Sequence, residues 1–196
     1  ITKHLSGNRG ITIGDIQYSR NIFSFRWTNE EREAIGLYEV VFDNTNKKDE
    51  EYYNNTEQTF TYDADAGTVT ATYGDATAKA HADTLFTSDD EDNGLGTEGE
   101  VKVEGLKTRK IRIIKKQAAS ELARTDWYIV RKADADTAIP SAITNHRAAV
   151  RTKCAQMETA VTNASNTAAI KTLYTYTKQE DGSITRPLGE LPTLEV

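Results

Sequence analysis

The spacing of apolar residues changes along this chain, and the change limits the folds open to it. Through residue 75, apolar and polar residues alternate: Ile11, Ile13 and Ile16 in GITIGDIQYS, then IFSFRW, LYEVVF, TFTYD and TVTATY. From residue 106, apolar residues recur every three or four positions. Period two marks strands with one buried face, and three–four spacing marks helices. The expectation is an α+β fold: an N-terminal antiparallel β region with a short helix, then a two-helix hairpin, then a short C-terminal β segment. The expected segments are 1–75, β-rich; 76–105, a helix and an acidic glycine-rich linker loop; 106–165, the helical hairpin; and 166–196, a short helix, a hairpin and an extended tail.

Turn and cap chemistry places the boundaries. Gly14-Asp15 signals a turn, and Thr28 with Glu31 three residues on reads as an N-cap and its capping-box partner for a short helix ending at Gly36. Ala64-Asp65-Ala66-Gly67 joins two strands. Helix propensity rises from Ala76 to Phe86, which places His81 on a polar helix. Ile111, Ile114, Ala118 and Leu122 share one face of a helix from Leu106 to Arg124, and Lys107, Arg109, Lys110, Arg112, Lys115 and Lys116 cover most of the remainder. Asp126 to Ile139 reads as extended or loop, with WYIV a short strand or packed segment. Pro140 suits the first turn of a second long helix, whose seam is Ile143, Val150, Cys154, Met157 and Val161 and which fades after Asn163. A short helix through Ile170 and Leu173 precedes a hairpin turning at Asp181-Gly182.

Composition narrows the function classes. The chain of 196 residues is 37% hydrophobic, with a mean hydropathy of −0.62, so a thin core is expected. Its single cysteine, Cys154, rules out an intramolecular disulfide and a cysteine-based metal site. No apolar run approaches membrane-spanning length and no signal peptide is visible, so a soluble protein made in a cytoplasm is expected. The chain begins at Ile1, as expected if an initiator methionine or a longer segment precedes it. Residues 1–100 hold 8 Lys+Arg against 20 Asp+Glu, net −12, and residues 101–196 hold 16 against 10, net +6. Such polarity suits head-to-tail or interdomain contact and argues against duplex DNA, which requires a dense basic face. The basic helix lacks the interleaved aromatics of a single-strand binder, so no nucleic-acid partner is expected.

Few residues could carry chemistry. Counting from Asp89, oxygen donors fall at positions 1 (Asp89), 3 (Glu91), 5 (Asn93) and 12 (Glu100), with Gly94 at position 6, close to a calcium-binding EF-hand loop. Three features depart from it: a long Glu91, Gly96 where an apolar residue belongs, and VKVEG in place of an exit helix. A solvated, mobile acidic loop is the expectation, and a calcium-stabilised binding module is the competing one. His4 and His81 have no ligand-spaced neighbours. His146 lies on the apolar seam, as a packed histidine hydrogen-bonded at its polar edge. No phosphate loop or nucleophile elbow occurs, and an enzyme is not expected. Trp127 is expected to be buried between the two helices, with its indole N–H paired to backbone; the competing reading makes Trp127 and Tyr128 an interface anchor. Arg147 and Arg151 share a helix face, where Asp126 can reach back to one of them as a structural clamp.

The segment GLKTRKIRIIKKQAASELARTDWYIVRKADADTAIPSAITNHRAAVR resembles the C-terminal module of the bacteriophage tail assembly chaperone and tail-fibre-associated family, in its marine-phage-like variant. That module carries Leu-x-x-(Ser/Thr)-Asp-Trp at a helix end, matched by Leu122, Thr125, Asp126 and Trp127. After a proline-bearing linker, here with Pro140, comes Tyr-Arg-x-x-(Val/Leu)-Arg, matched by Arg147, Val150 and Arg151. The entry segment is similar too, at Glu31, Arg32, Ala34, Ile35 and Gly36. The two blocks cover half of the chain. His146 stands in place of the usual tyrosine, and Glu121 where a second leucine is common.

The resemblance implies a virion component of a phage tail at the fibre or baseplate, with other tail proteins as partners, no cofactor and no membrane. The alternative it leaves open is a tail-fibre assembly chaperone absent from the mature virion. Self-association through the seam of the second long helix is a further open outcome.

Overall fold

The period-two stretches form strands wherever a turn signal separates them. The computed structural model describes residue 5 and residues 9–194, so His4 lies outside the described residues. The chain is mixed α+β and divides into two compact units, the first ending at Thr77 and the second beginning at Ala78.

In the first unit, β1 (Ile11–Ile13) and β2 (Ile16–Tyr18) form an antiparallel hairpin around Gly14-Asp15, with Gly14 at φ +57°. The stretch IFSFRW is not a strand. Residues Arg20–Phe23 form one 3-10 turn, in which Ser24 Oγ donates to Asn21 O at 2.7 Å and Ile22 is buried. The guanidinium of Arg32 donates to Ile22 O at 2.8 Å and Ser24 O at 2.7 Å, so this backbone is satisfied without a ladder. Arg32 itself lies on α1 (Asn29–Glu33), which opens with the expected reciprocal box: Glu31 N–H to Thr28 Oγ1 at 3.2 Å and Thr28 N–H to Glu31 Oε2 at 2.8 Å. Gly36, at φ +81°, closes it. Its N–H reaches Glu33 O and the Leu37 N–H reaches Arg32 O, both at 2.9 Å, the paired bonds of a Schellman stop.

Strands β3 (Glu39–Asp43), β4 (Tyr53–Asn54), β5 (Gln58–Asp63) and β6 (Thr68–Tyr73) follow. β5 and β6 pair antiparallel across the expected turn, where Asp63 Oδ1 accepts from the N–H groups of Asp65 and Ala66. The sheet order is β3-β6-β5, and β3 runs parallel to β6, against the all-antiparallel expectation. β6 is the strand whose alternate residues, Val69 and Ala71, are buried, and it therefore takes the centre with a partner on each side. β3 and β5 are the outer strands of this sheet. The register puts Val40, Phe42, Val69, Ala71, Phe60 and Tyr62 on one face. Glu39, Val41, Asp43 and the Thr residues at 59, 61, 68, 70 and 72 lie on the other.

The second unit opens with a correction. The stretch from Ala76 to Phe86 is not a helix: β7 (Thr77–Ala78), at the boundary, and β8 (Thr84–Leu85) are strands, and His81 sits in a bend between them. The carbonyls of Ala80 and His81 accept the first amides of the next long helix, from Leu106 at 2.9 Å and Lys107 at 3.0 Å. Asp83 accepts Gly105 N–H and Thr108 Oγ1–H, both at 2.7 Å. The segment's backbone therefore serves as a cap, which a helix could not do. Gly105 is required here, since a Cβ would lie 2.3 Å from Ala82.

Beyond α2 (Ser88–Asp92) and β9 (Val101–Val103) stand α3 (Leu106–Ala123), α4 (Asp126–Ala135), α5 (Ser141–Asn163) and α6 (Thr167–Tyr174). α3 and α5 pack together, and α6 packs on both. The expected two-helix hairpin is thus interrupted by a third helix, α4, over residues expected to be extended. The hairpin β10 (Thr177–Lys178) and β11 (Ile184–Thr185) turns as expected. Ile114, Met157, Val161 and Leu188 form one core cluster, with Ile111, Cys154 and Leu173 against it, and Leu106, Ile143, Val150 and Ile170 are buried too. Lys110, expected on the solvated face, is 5% exposed because it shares the face of Ile114, and its Nζ lies 4.2 Å from the Tyr174 ring.

Ile114 is 1% exposed and its neighbour Ile113 is 45% exposed. Ile114→Ala is expected to lower unfolding free energy by about 2–5 kcal/mol in urea titrations, against about 0.5 kcal/mol or less for Ile113→Ala. Equal losses would contradict this core.

Candidate docking surface

Helix α3 ends because Thr125 leaves helical geometry (φ −118°, ψ 5°). Both its N–H, at 3.0 Å, and its hydroxyl, at 2.9 Å, turn back to Leu122 O. From α5, one guanidinium nitrogen of Arg147 donates to Leu122 O at 2.8 Å, Thr125 Oγ1 at 2.7 Å and Asp126 Oδ1 at 2.8 Å. Thr125 is 1% exposed and Arg147 8%, so the carbonyl and hydroxyl contacts are made out of water. Hydrogen bonds to a charged group in such a setting contribute about 1.5–3 kcal/mol. The Asp126 carboxylate is more than half exposed, so its ion pair adds little.

Four of the motif residues, Leu122, Thr125, Asp126 and Arg147, are therefore one constellation, and the expected clamp is made by Arg147. Arg151 is exposed and stands apart from it. Val150 is fully buried in the unit. Pro140 is the N-cap of α5 rather than part of its first turn, and its carbonyl accepts from Ile143 at 3.0 Å and Thr144 at 3.1 Å. The two positions that depart from the family pattern face each other between α3 and α5. His146 is buried with Nε2 3.4 Å from Glu121 Oε1, an ion-pair distance without the aligned hydrogen bond expected for it, and Glu121 also takes Arg124.

Trp127 is not buried between the helices. It is 52% exposed, on a helix with no buried residue. The clamp fixes the residues on either side of the α3–α4 junction and turns Thr125 inward, which leaves Trp127 outside. Its ring lies 3.8 Å from that of Tyr128, tilted 33°, and the Arg131 guanidinium sits over both, at 4.7 and 5.4 Å. Ile129 is exposed and Val130 is 66% exposed. Lys132 pairs with Asp136, which ends α4 in the left-handed region at φ 49°, a conformation that aspartate tolerates. The result is an aromatic–arginine stack in which Trp127 is exposed and Tyr128 and Arg131 are half-buried, with two exposed aliphatic neighbours. The i,i+4 pair of Lys132 and Asp136 is the sequence signal that could have exposed α4 as a helix.

The acidic segment does not form a calcium loop. Residues 88–92 are helical, with Thr87 and Asp90 forming a second reciprocal capping box. Helical geometry turns Asp89, Glu91 and Asn93 away from one another. Asn93 Nδ2 donates to Asp89 O at 2.6 Å, and Glu91 accepts from Glu98 N–H. Gly94 ends this helix instead of turning a metal loop, and the Glu100 backbone pairs with Phe86. Among the described residues, no three His, Cys, Asp or Glu side chains are grouped to hold a metal ion. Asp90, in no EF-hand ligand position, carries the main contact: Lys102 Nζ at 2.6 Å, which with the Thr87 backbone N–H lowers its pKa to about 2.

The basic face of α3 is largely engaged within its own unit. Lys107 donates to Thr162 O, Arg112 pairs with Glu104 and Lys115 with Glu158. Burial, with Glu158 at 3.3 Å, pushes the Cys154 thiol up, away from a reactive thiolate. Among the described residues, no helix is long and apolar enough to cross a membrane. No family model, curated protein or solved structure matches the chain.

Asp90 is expected to titrate at about 2 by NMR and, in Lys102→Ala, to move up toward the ordinary 3.8. Because the folded value is depressed, its contribution to stability is present above pH 3.8 and disappears as pH falls through about 2. An Asp90 midpoint unmoved by Lys102→Ala would contradict the pairing.

Proposed function

We propose that this chain is a non-enzymatic structural component of a bacteriophage tail, at the fibre or baseplate, and that it docks onto other tail proteins through α4. Exposed Trp127, stacked on half-buried Tyr128 and Arg131 and flanked by exposed Ile129 and Val130, carries the proposal. Trp, Tyr and Arg are the residue types that dominate binding energy at protein interfaces. A helix whose first turn is already fixed by Arg147 loses little further freedom on binding, so more of the contact energy remains as affinity.

The motif resemblance supports the same reading. Leu-x-x-Thr-Asp-Trp here has a physical division of labour: Leu122, Thr125 and Asp126 receive Arg147, and Trp127 is the side chain presented. On this reading the polar residues of the motif hold a surface in place rather than perform a reaction.

Mass spectrometry of purified phage particles tests the assignment. The chain is expected in particles, and Val130→Asp is expected to remove it while leaving its thermal unfolding unchanged. Absence of the wild-type chain from mature particles would replace this reading with the assembly-chaperone alternative. Retention of Val130→Asp would remove α4 as the docking face.

A further inference from the structure

Tyr38, just before β3, and Tyr62, on β5, meet at the surface of the first unit. Their ring centroids are 4.5 Å apart and the planes are inclined by 52°, so the pair forms a corner rather than a flat stack. The register sets Tyr62 opposite buried Val69, yet Tyr62 is 50% exposed and Tyr38 38%. Aromatic surface with its electron-rich faces is therefore left in contact with water.

Two carboxylates border this corner, and they select its occupant. Glu33, the last residue of α1, lays its carboxylate over the β5–β6 turn, with oxygens 3.0 and 3.3 Å from where a Cβ would stand at Gly67. Asp63 follows Tyr62 and opens the same turn. Partial burial, the Tyr38 hydroxyl and the charges of Glu33 and Asp63 push the Tyr62 hydroxyl up, so both carboxylates act on this ring. The unit places its own lysines on other tyrosines, Lys47 at 5.6 Å from the Tyr73 ring and Lys48 at 5.0 Å from that of Tyr53. Among the described residues, no Lys or Arg lies over Tyr38 or Tyr62 or pairs with Glu33 or Asp63. The first unit holds 7 Lys+Arg against 13 Asp+Glu, so its field draws cations and repels anions.

We propose that Tyr38, Tyr62 and Glu33 form a binding site for a basic side chain, Arg or Lys, of a partner protein. The ring faces attract the cation through their quadrupoles, and the Glu33 carboxylate accepts its N–H groups in charge-assisted hydrogen bonds. Asp63 adds to the negative field. A planar guanidinium stacks on one ring while it donates sideways to a carboxylate, which a compact ammonium cannot do, so Arg binds more tightly than Lys. This site lies within the first unit and stands independently of the α4 reading.

The test titrates the full chain with the blocked tripeptide acetyl-Gly-Arg-Gly-amide, followed by NMR. Shifts are expected in the ring signals of Tyr38 and Tyr62 and at Glu33, with a dissociation constant of about 1–10 mM. Exchanging the peptide arginine for citrulline, which keeps the shape and removes the charge, should weaken binding at least about fivefold. Glu33→Gln should weaken the arginine peptide to a similar degree while leaving the citrulline peptide unaffected. Tyr38→Leu, at an exposed position, should reduce the shifts with the amide spectrum of β5 and β6 retained. No shifts at these residues at about 20 mM arginine peptide would overturn the proposal. Equal binding of the citrulline peptide, or arginine binding undiminished by Glu33→Gln, would also overturn it.

Discussion

The buried guanidinium of Arg147 is the constraint on which the geometry of the second unit depends. A cation held out of water must find oxygen partners, and an unpaired one is strongly destabilising. Here the partners are a carbonyl, a hydroxyl and a carboxylate supplied by three positions within five residues, Leu122, Thr125 and Asp126. They converge only if α3 stops at Thr125 and a new helix begins at Asp126. That requirement fixes where the break falls, how far α5 can slide along α3, and which side of α4 faces out. Trp127 is exposed as a consequence of satisfying Arg147 and Thr125.

The rest of the unit also relies on polar bonds between distant segments. One cluster of its core is Ile114, Met157, Val161 and Leu188, with a fringe of half-buried neighbours, and Leu106, Ile143, Val150 and Ile170 are buried as well. The N-terminal end of α3 is closed by backbone carbonyls of Ala80 and His81 and by Asp83, so residues 79–83 are held by capping. Thr167, at the start of α6, donates to Lys79 O at 2.6 Å and ties this segment to a second helix. Polar bonding of this kind lets a chain of low hydropathy hold a defined shape with limited apolar burial.

Local chemistry was legible wherever it was self-contained. The Thr28–Glu31 box, the stop at Gly36, the turns at Gly14-Asp15 and Ala64–Gly67, and the seam of α5 all rest on residues close in sequence. Elements set by distant partners were not legible. WYIV is rich in strand formers, and it is helical because Asp126 is pinned by Arg147 from 21 positions away. The stretch from Ala76 to Phe86 has helix propensity, yet its carbonyls are taken by α3. The segment 88–92 resembled a metal loop because its oxygen donors carry the right spacing, but Thr87 and Asp90 start a helix there first. The parallel direction of β3 depends on which strand takes the centre of the sheet, which spacing within a single strand does not encode. Of the site, the pairing of Arg147 with Asp126 could be anticipated, and an exposed Trp127 was the competing reading, while the helical form of α4 could not.

The central claim is that Arg147 holds α4 in place as a presented surface. Native-state amide hydrogen exchange on Arg147→Met addresses it most directly, because exchange reports local opening separately from global unfolding. The account predicts that amides of residues 130–135 exchange at least about tenfold faster, a local loss of about 1.4 kcal/mol. The centres of α3 and α5 should stay protected. Unchanged protection across α4 in this variant would contradict the account.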